Sequence, residues 1–148
     1  MIRGIDHVGV AVESPAVVGE VLAALGLTLG HVGEAQDYGV HCRFWNAPSS
    51  SGVVELVEPR HQDSVIQKHL DRQGPGIYHI AFEVDDLNEE LSRLREVGMV
   101  PLDPEPRAGA KPGMRVAFLY PGHEAGFLVE LVEYTSPDST EPLPPQCV

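Results

Sequence analysis

The pentapeptide Val54–Glu58, VELVE, returns letter for letter at Val129–Glu133. Each copy carries a glutamate, Glu55 and Glu130, inside an apolar run that reads as a β-strand. A carboxylate in such a run stays buried only when it is paired, hydrogen-bonded or bound to a metal. A histidine precedes each copy at a matching place: His7 in Ile5–Val12 (IDHVGVAV) and His79 in Ile77–Val84 (IYHIAFEV). Two imidazoles and two carboxylates suit a divalent ion, with Co²⁺ taken first and Mn²⁺, Ni²⁺, Zn²⁺ or Fe²⁺ also fitting the donor set. Around a dication the set is formally neutral. In octahedral geometry two positions would stay open, enough for a substrate to chelate through two oxygens. Any one of the four alone reads as an ordinary core or edge residue; the four at repeat-equivalent positions read as a metal centre. His31, His41, His61, His69 and His123 have no such pairing and read as surface or incidental histidines.

The elements that must position this quartet also repeat. His7 to Gly26 and His79 to Gly98 both span nineteen residues, while His7 to Glu55 spans forty-eight and His79 to Glu130 fifty-one. Self-similarity on this scale marks two copies of one supersecondary unit. In the first, a strand over Arg3–Val12 leads through Ser14-Pro15, an N-cap and N1 proline, into a helix ending at Gly26, with Val17, Val21, Leu22 and Leu25 on one stripe. Strands follow at Leu29–Glu34, Val40–Asn46 and Val53–Glu58, giving βαβββ. A linker helix over Asp63–Gln73 has an Asp cap and Gly74 beyond its end. The second unit runs from the strand Ile77–Val84 into a helix over Asp86–Val97, with Asp86 and Glu89 as a capping box and Leu87, Leu91 and Leu94 at helical spacing. A weak strand near Val100–Asp103, a proline-rich loop Pro104–Pro112, a strand Met114–Tyr120, a turn Pro121–Ala125 and a last strand Phe127–Tyr134 complete a second βαβββ.

Alternation along a strand sends successive side chains to opposite faces. It puts His7 with Gly9 and Ala11, and His79 with Ala81, on faces of small residues that leave a cavity. The bulky faces, Val8, Val10, Val12 and Ile80, Phe82, Val84, turn to the helices. The fold class expected is therefore α+β: two tandem βαβββ modules, about residues 3–58 and 76–134, forming a cupped mixed sheet in one domain over residues 1–134, with a proline-rich tail at 135–148.

The chain has 148 residues and a formal net charge of −12, which argues against a nucleic-acid or acidic-membrane partner, since these need a basic footprint. It holds no apolar run long enough for a membrane span and no signal-peptide pattern, so a soluble, cytoplasmic protein is expected. Two cysteines, Cys42 and Cys147, make no disulfide framework.

On IDHVGVAV, GIYHIAFEVDDL, EPRAGAKPGMRVAFLYP and FLVELVE, the chain resembles the vicinal-oxygen-chelate superfamily of glyoxalase, bleomycin-resistance and dioxygenase proteins. Within it, the methylmalonyl-CoA epimerases are most alike, over about nine-tenths of the chain, Ile5 to Tyr134. The resemblance implies a metal held by His7, Glu55, His79 and Glu130. It also implies a 1,1-proton transfer at carbon 2 of an acyl-CoA, methylmalonyl-CoA first, with the ion as Lewis acid and a base on each face of a planar enolate. Glu130 would be one base. The other lies in a segment like H-x-x-x-x-E-x-G-V, and here His31–Val40 (HVGEAQDYGV) puts Asp37 in that place, one methylene shorter, with Glu34 a rival. Arg107, Lys111 and Arg115 flank the second-module loop and read either as contacts for the CoA phosphates or as solvated charges. A homodimer is implied by the relatives and by exposed sheet edges.

Three other readings share the scaffold. Glyoxalase I-like lyases use a similar metal shell, but the EPRAGAKPGMRVAFLYP loop is more like the epimerases. Extradiol dioxygenases use two His and one carboxylate, which a second carboxylate at Glu55 disfavours. Non-enzymatic binding modules lack the shell.

Overall fold

The computed structural model describes residues 1–49 and 52–135 and contains both modules. The first comprises β1 (Ile2–Ala11), α1 (Pro15–Ala24), β2 (Thr28–Ala35), β3 (Val40–Asn46) and β4 (Val53–Pro59). A connecting helix, α2 (Val65–Gln73), leads to β5 (Gly76–Val84), α3 (Leu87–Glu96), the short β6 (Val100–Pro101) and β7 (Arg107–Ala108), then β8 (Met114–Tyr120) and β9 (Leu128–Tyr134). The tail expected at 135–148 lies, from residue 136 on, outside the described residues, as does Cys147.

The strands make one curved mixed sheet in the order β2-β3-β4-β1-β5-β9-β8-β6, with β7 also on β8. β1 runs parallel to β4 and β5 parallel to β9, and the modules meet where β1 and β5 pair antiparallel. That junction carries the pseudo-two-fold. His7 lies opposite Ala81, Gly9 opposite His79, and Val8 opposite Ile80 between them, so each pair is the image of another. On the outer side, β4 sets Glu55 beside Gly9 and β9 sets Glu130 beside Ala81. Each small residue is thus flanked by one Glu and one His.

α1 and α3 cover the other face and differ, while α2 packs on the cavity side, where Ile66 and Leu70 join Ala11, Cys42 and Phe44. α3 behaves as its spacing requires: Leu87, Leu91 and Leu94 are buried, and the Asp86 carboxylate accepts from the Glu89 N–H at 2.9 Å. In α1 the expected stripe is wrong, because Val17, Val21 and Leu25 are exposed and only Leu22 of the four is buried. The helix is instead rolled so that Gly19 lies against the Trp45 ring, where a Cβ would come within 2.9 Å of it, and Val18 joins Leu22, Val12 and Leu56 in the core. Ser14 makes no side-chain cap bond. In α2 the cap is Ser64 rather than Asp63; its Oγ accepts from the Gln67 N–H at 3.1 Å.

The proline-rich segment is less irregular than its composition suggests. β6 and β7 share the outer edge of β8, pairing with Leu119–Tyr120 and Arg115–Val116 respectively. In the gap the Phe118 peptide is bonded by Asp103, whose carboxylate accepts its N–H, and by the Leu102 N–H, which donates to its carbonyl. Module 1 has the single eight-residue β2 in the corresponding place, with a register shift between Leu29 and Val32.

Candidate metal centre and its cavity

The register brings four donor atoms to one point. His7 Nε2 lies 3.0 Å from Glu55 Oε2 and 3.0 Å from Glu130 Oε2, His79 Nε2 lies 3.0 and 2.9 Å from the same two oxygens, and the two Nε2 atoms are 3.0 Å apart. All four residues are buried, at most 5 % exposed, and their donor atoms lie within 4.8 Å of one another. Neither Glu55 Oε2 nor Glu130 Oε2 has a hydrogen-bond partner among the described residues. Buried carboxylate oxygens left without a donor carry a large desolvation cost. A cation among the four atoms removes it, and the nitrogen and oxygen donors fit a divalent metal.

Small neighbours make the convergence possible. A Cβ on Gly9 would fall 2.1 Å from His79 Cε1, so only glycine lets that ring lie across β1. Phe44 meets the His7 ring edge-on at 5.6 Å, while Tyr78 and Phe118 enclose His79 at 5.6 and 5.2 Å.

Charge follows from this packing. Burial pulls the His7 imidazolium pKa down, but the carboxylates of Asp6, Glu130 and Glu55 around the ring outweigh burial and raise it to about 12. For His79 burial is again opposed, mainly by the charge of Glu130, and the result is about 9. Burial raises and the two histidines lower the carboxylates, which end below their ordinary range. The pocket demands positive charge, as protons or as a metal ion.

Asp6, which the sequence reading passed over, sets the tautomer of His7. The Nδ1–H donates to Asp6 Oδ2 at 2.6 Å, leaving the Nε2 lone pair for the centre, and the Tyr134 hydroxyl donates to the two Asp6 oxygens at 3.0 and 3.1 Å. Simple alternation puts Asp6 on the opposite face from His7, but the β1–β5 register shifts between Ile5 and His7.

The quartet opens onto a cavity of about 240 Å³ lined by parts of both modules, Glu55, His79 and Glu130 among them. Asp37 lies on its wall in a one-turn 3₁₀ segment, Gln36–Tyr38. Glu34 does not line it; its carboxylate is held by Arg60 at 2.9 Å and His41 at 3.1 Å. Of the three cations, only Arg107 lines the cavity, its Nε 3.0 Å from Asp103 Oδ1. Lys111 stands over the Phe44 ring at 4.2 Å, away from the cavity wall. Arg115 bonds Glu133 at 3.2 Å, on the face of β8 opposite Met114, Val116 and Phe118, which line the cavity. Cys42, Tyr38, Tyr78 and Asp103 also form walls that were not anticipated. Burial raises the Cys42 thiol pKa well above its ordinary value, so it stays protonated beside Glu55.

Comparisons with known proteins agree with this geometry. The ethylmalonyl-CoA/methylmalonyl-CoA epimerase of Cereibacter sphaeroides is 35 % identical over 134 residues, covering 88 % of this chain and 98 % of that one. The crystal structure of methylmalonyl-CoA epimerase from Mycobacterium tuberculosis superposes with a TM-score of 0.83 at 35 % identity, over 91 % of this chain and 90 % of its own. A variant of the Streptomyces coelicolor methylmalonyl-CoA epimerase in complex with 2-nitronate-propionyl-CoA superposes with a TM-score of 0.80 at 30 % identity, over 92 % of this chain and all (100 %) of its own. The model of the Glyoxalase/Bleomycin resistance protein/Dioxygenase superfamily matches residues 6–118, and the chain belongs to that superfamily.

Proposed function

We propose that this protein is a metal-dependent epimerase of a 2-substituted acyl-CoA, methylmalonyl-CoA first, acting by 1,1-proton transfer. The observation that carries the reading is a buried His/Glu quartet opening onto a cavity whose wall holds a further carboxylate, Asp37, with no ion-pair partner among the described residues. The relatives that the chain resembles over nearly its whole length are named as epimerases of this class. His7, Glu55, His79 and Glu130 would hold the ion, with Co²⁺ the first choice; when bound it supplies Lewis acidity toward the carboxylate and thioester oxygens of the substrate.

The chain's own residues then divide the proton work. Glu130 turns Oε2 to the quartet, leaving its other oxygen to take or give the proton at carbon 2. Asp37 does the same from the other face of the planar enolate. One base removes the α-proton, the other, already protonated, returns one to the opposite face, and solvent resets the pair. Arg107 offers a cation to the anionic part of the substrate, and Tyr78 and Phe118 keep water from the His79 side. Glu34 is tied to Arg60 and His41 and is the weaker candidate for the first base. Among the described residues no helix is long and apolar enough to cross a membrane. A cytoplasmic homodimer completes the proposal.

The test is proton–deuterium exchange at carbon 2 of a small panel of acyl-CoAs in deuterated water, on chelator-stripped protein with divalent ions added back. Exchange that returns with the metal supports the reading. Full activity in stripped protein, or no exchange from any acyl-CoA, overturns it.

A further inference from the structure

We propose that Asp103, from module 2, is a positioning residue that works through Tyr38, holding the Gln36–Tyr38 turn and with it Asp37 at the cavity wall. The inference rests on the reading of Asp37 as first base. Asp103 is only 4 % exposed, yet it meets three donors: the Tyr38 hydroxyl at 2.7 Å and the Phe118 N–H at 2.9 Å on Oδ2, and Arg107 Nε at 3.0 Å on Oδ1. A buried carboxylate this fully bonded is a rigid point. One of its bonds crosses between modules to the residue next to Asp37.

The turn needs such a point. It is a single 3₁₀ turn closed by one backbone bond, Gly39 N–H to the Gln36 carbonyl at 3.1 Å, and it ends in the left-handed conformation at Gly39, φ 65°. Asp37 is exposed and its side chain has no ion pair among the described residues, so its place follows the backbone of Tyr38. The Tyr38 ring is held on one side by Phe118, edge-on at 5.3 Å, and covered by the Arg107 guanidinium at 5.6 Å from its centre. Those contacts fix the ring's depth. The hydroxyl bond to Asp103 fixes how far it can slide along the cavity. Asp103 meets Tyr38 in the gap between β6 and β7, where its carboxylate also supplies the acceptor that an unbroken edge strand would have given Phe118.

Asp103→Ala leaves the Phe118 N–H and Arg107 unpaired and is the variant that can fail to fold. Tyr38→Phe, which removes one hydroxyl, is therefore the main test. In metal-loaded protein in deuterated water, each epimer is followed separately. Displacement of one base by a fraction of an ångström to an ångström should slow exchange on the Asp37 face about 10- to 100-fold, with the Glu130 face and metal affinity unchanged. In an Asp37→Asn background, Tyr38→Phe should add nothing. Equal loss on both faces, or a further loss in the Asp37→Asn background, overturns the proposal by making Tyr38 a general structural or substrate contact. Should wild-type protein exchange neither epimer, the epimerase reading fails separately. Amide hydrogen exchange then decides the clamp: faster exchange confined to residues 35–40 in Tyr38→Phe sustains it, and unchanged exchange there overturns it.

Discussion

On β1 the His7 ring is backed by a carboxylate: its Nδ1 bonds Asp6, and Tyr134 reaches across from β9 to hold Asp6 in turn. On β5 the Nδ1 of His79 has no partner among the described residues, and the ring is held by Tyr78 and Phe118 instead. Two modules with the same ligands at the same register have diverged in how they orient them. One uses a hydrogen-bond chain and the other aromatic walls. The first raises ligand basicity and the second shapes the cavity. Duplication accounts for the donor set and drift in the flanking residues for the division of labour.

The largest effects should fall on what the modules share. His7→Ala and His79→Ala each remove one of four ligands, and both should lose bound metal and α-proton exchange by at least about three orders of magnitude. Metal content by mass spectrometry alongside exchange checks this. A variant of either histidine that keeps stoichiometric metal and turnover would break the equivalence of the halves.

The next effect separates them. Asp6→Ala should weaken metal binding about 10- to 100-fold, as loss of an outer carboxylate does. Tyr78→Phe, which keeps the ring beside His79, should leave affinity unchanged. Competition with a chelating dye measures both. Equal loss in the two variants would mean that Asp6 matters only for packing.

Proton occupancy gives a third contrast, in metal-free protein. Both histidines have folded pKa values raised above the ordinary 6.5, so their contribution to stability is complete below that value and is lost as pH rises through the folded ones. Both contributions decline above 6.5; that of His79 is exhausted near 9 and that of His7, whose burial is offset by Asp6 as well as the two glutamates, only near 12. The carboxylates act in the other direction, their contribution being present above their ordinary range and lost as pH falls. Thermal melts of stripped protein should therefore drop between pH 7 and 10, and added metal should abolish the drop. A flat profile in stripped protein would show that the site does not hold protons in place of the ion.

Legibility in the sequence followed the range of the interactions. The quartet could be read because a repeat supplies long-range information: VELVE and the two His strands report on each other though they lie far apart in the chain. α3 could be read because Asp86, Glu89 and three leucines are local signals. What escaped depends on contacts that pattern does not encode. Asp6 reaches His7 only through a register shift in β1. The cap of α2 fell one residue later than expected, to Ser64. Asp103 and β7 sit in a proline-rich stretch whose pairing with β8 is two residues long.

The smallest predicted effect concerns the two helices over the sheet. Leu91 on α3 is 3 % exposed and Val21 on α1 is 56 % exposed, although both stand at positions where helical spacing asks for burial. Leu91→Ala should cost about 2–4 kcal/mol, the usual range for a buried leucine. Val21→Ala removes two methyl groups already in water and should change stability by less than about 0.5 kcal/mol, with the better helix propensity of alanine acting in its favour. Chemical denaturation of the two variants gives the comparison directly. On α1, Gly19 lies against Trp45, which turns Val17, Val21 and Leu25 outward together. Gly19→Ala would push a methyl to 2.9 Å from that ring, so it should destabilise although Ala is the stronger helix former. If Val21→Ala instead lowered the melting temperature by several degrees, and the loss shrank on dilution, the valine would be covered by a second copy of the chain. The contrast between α1 and α3 would then be one of partner rather than of burial, and light scattering across the same concentrations would show the mass change.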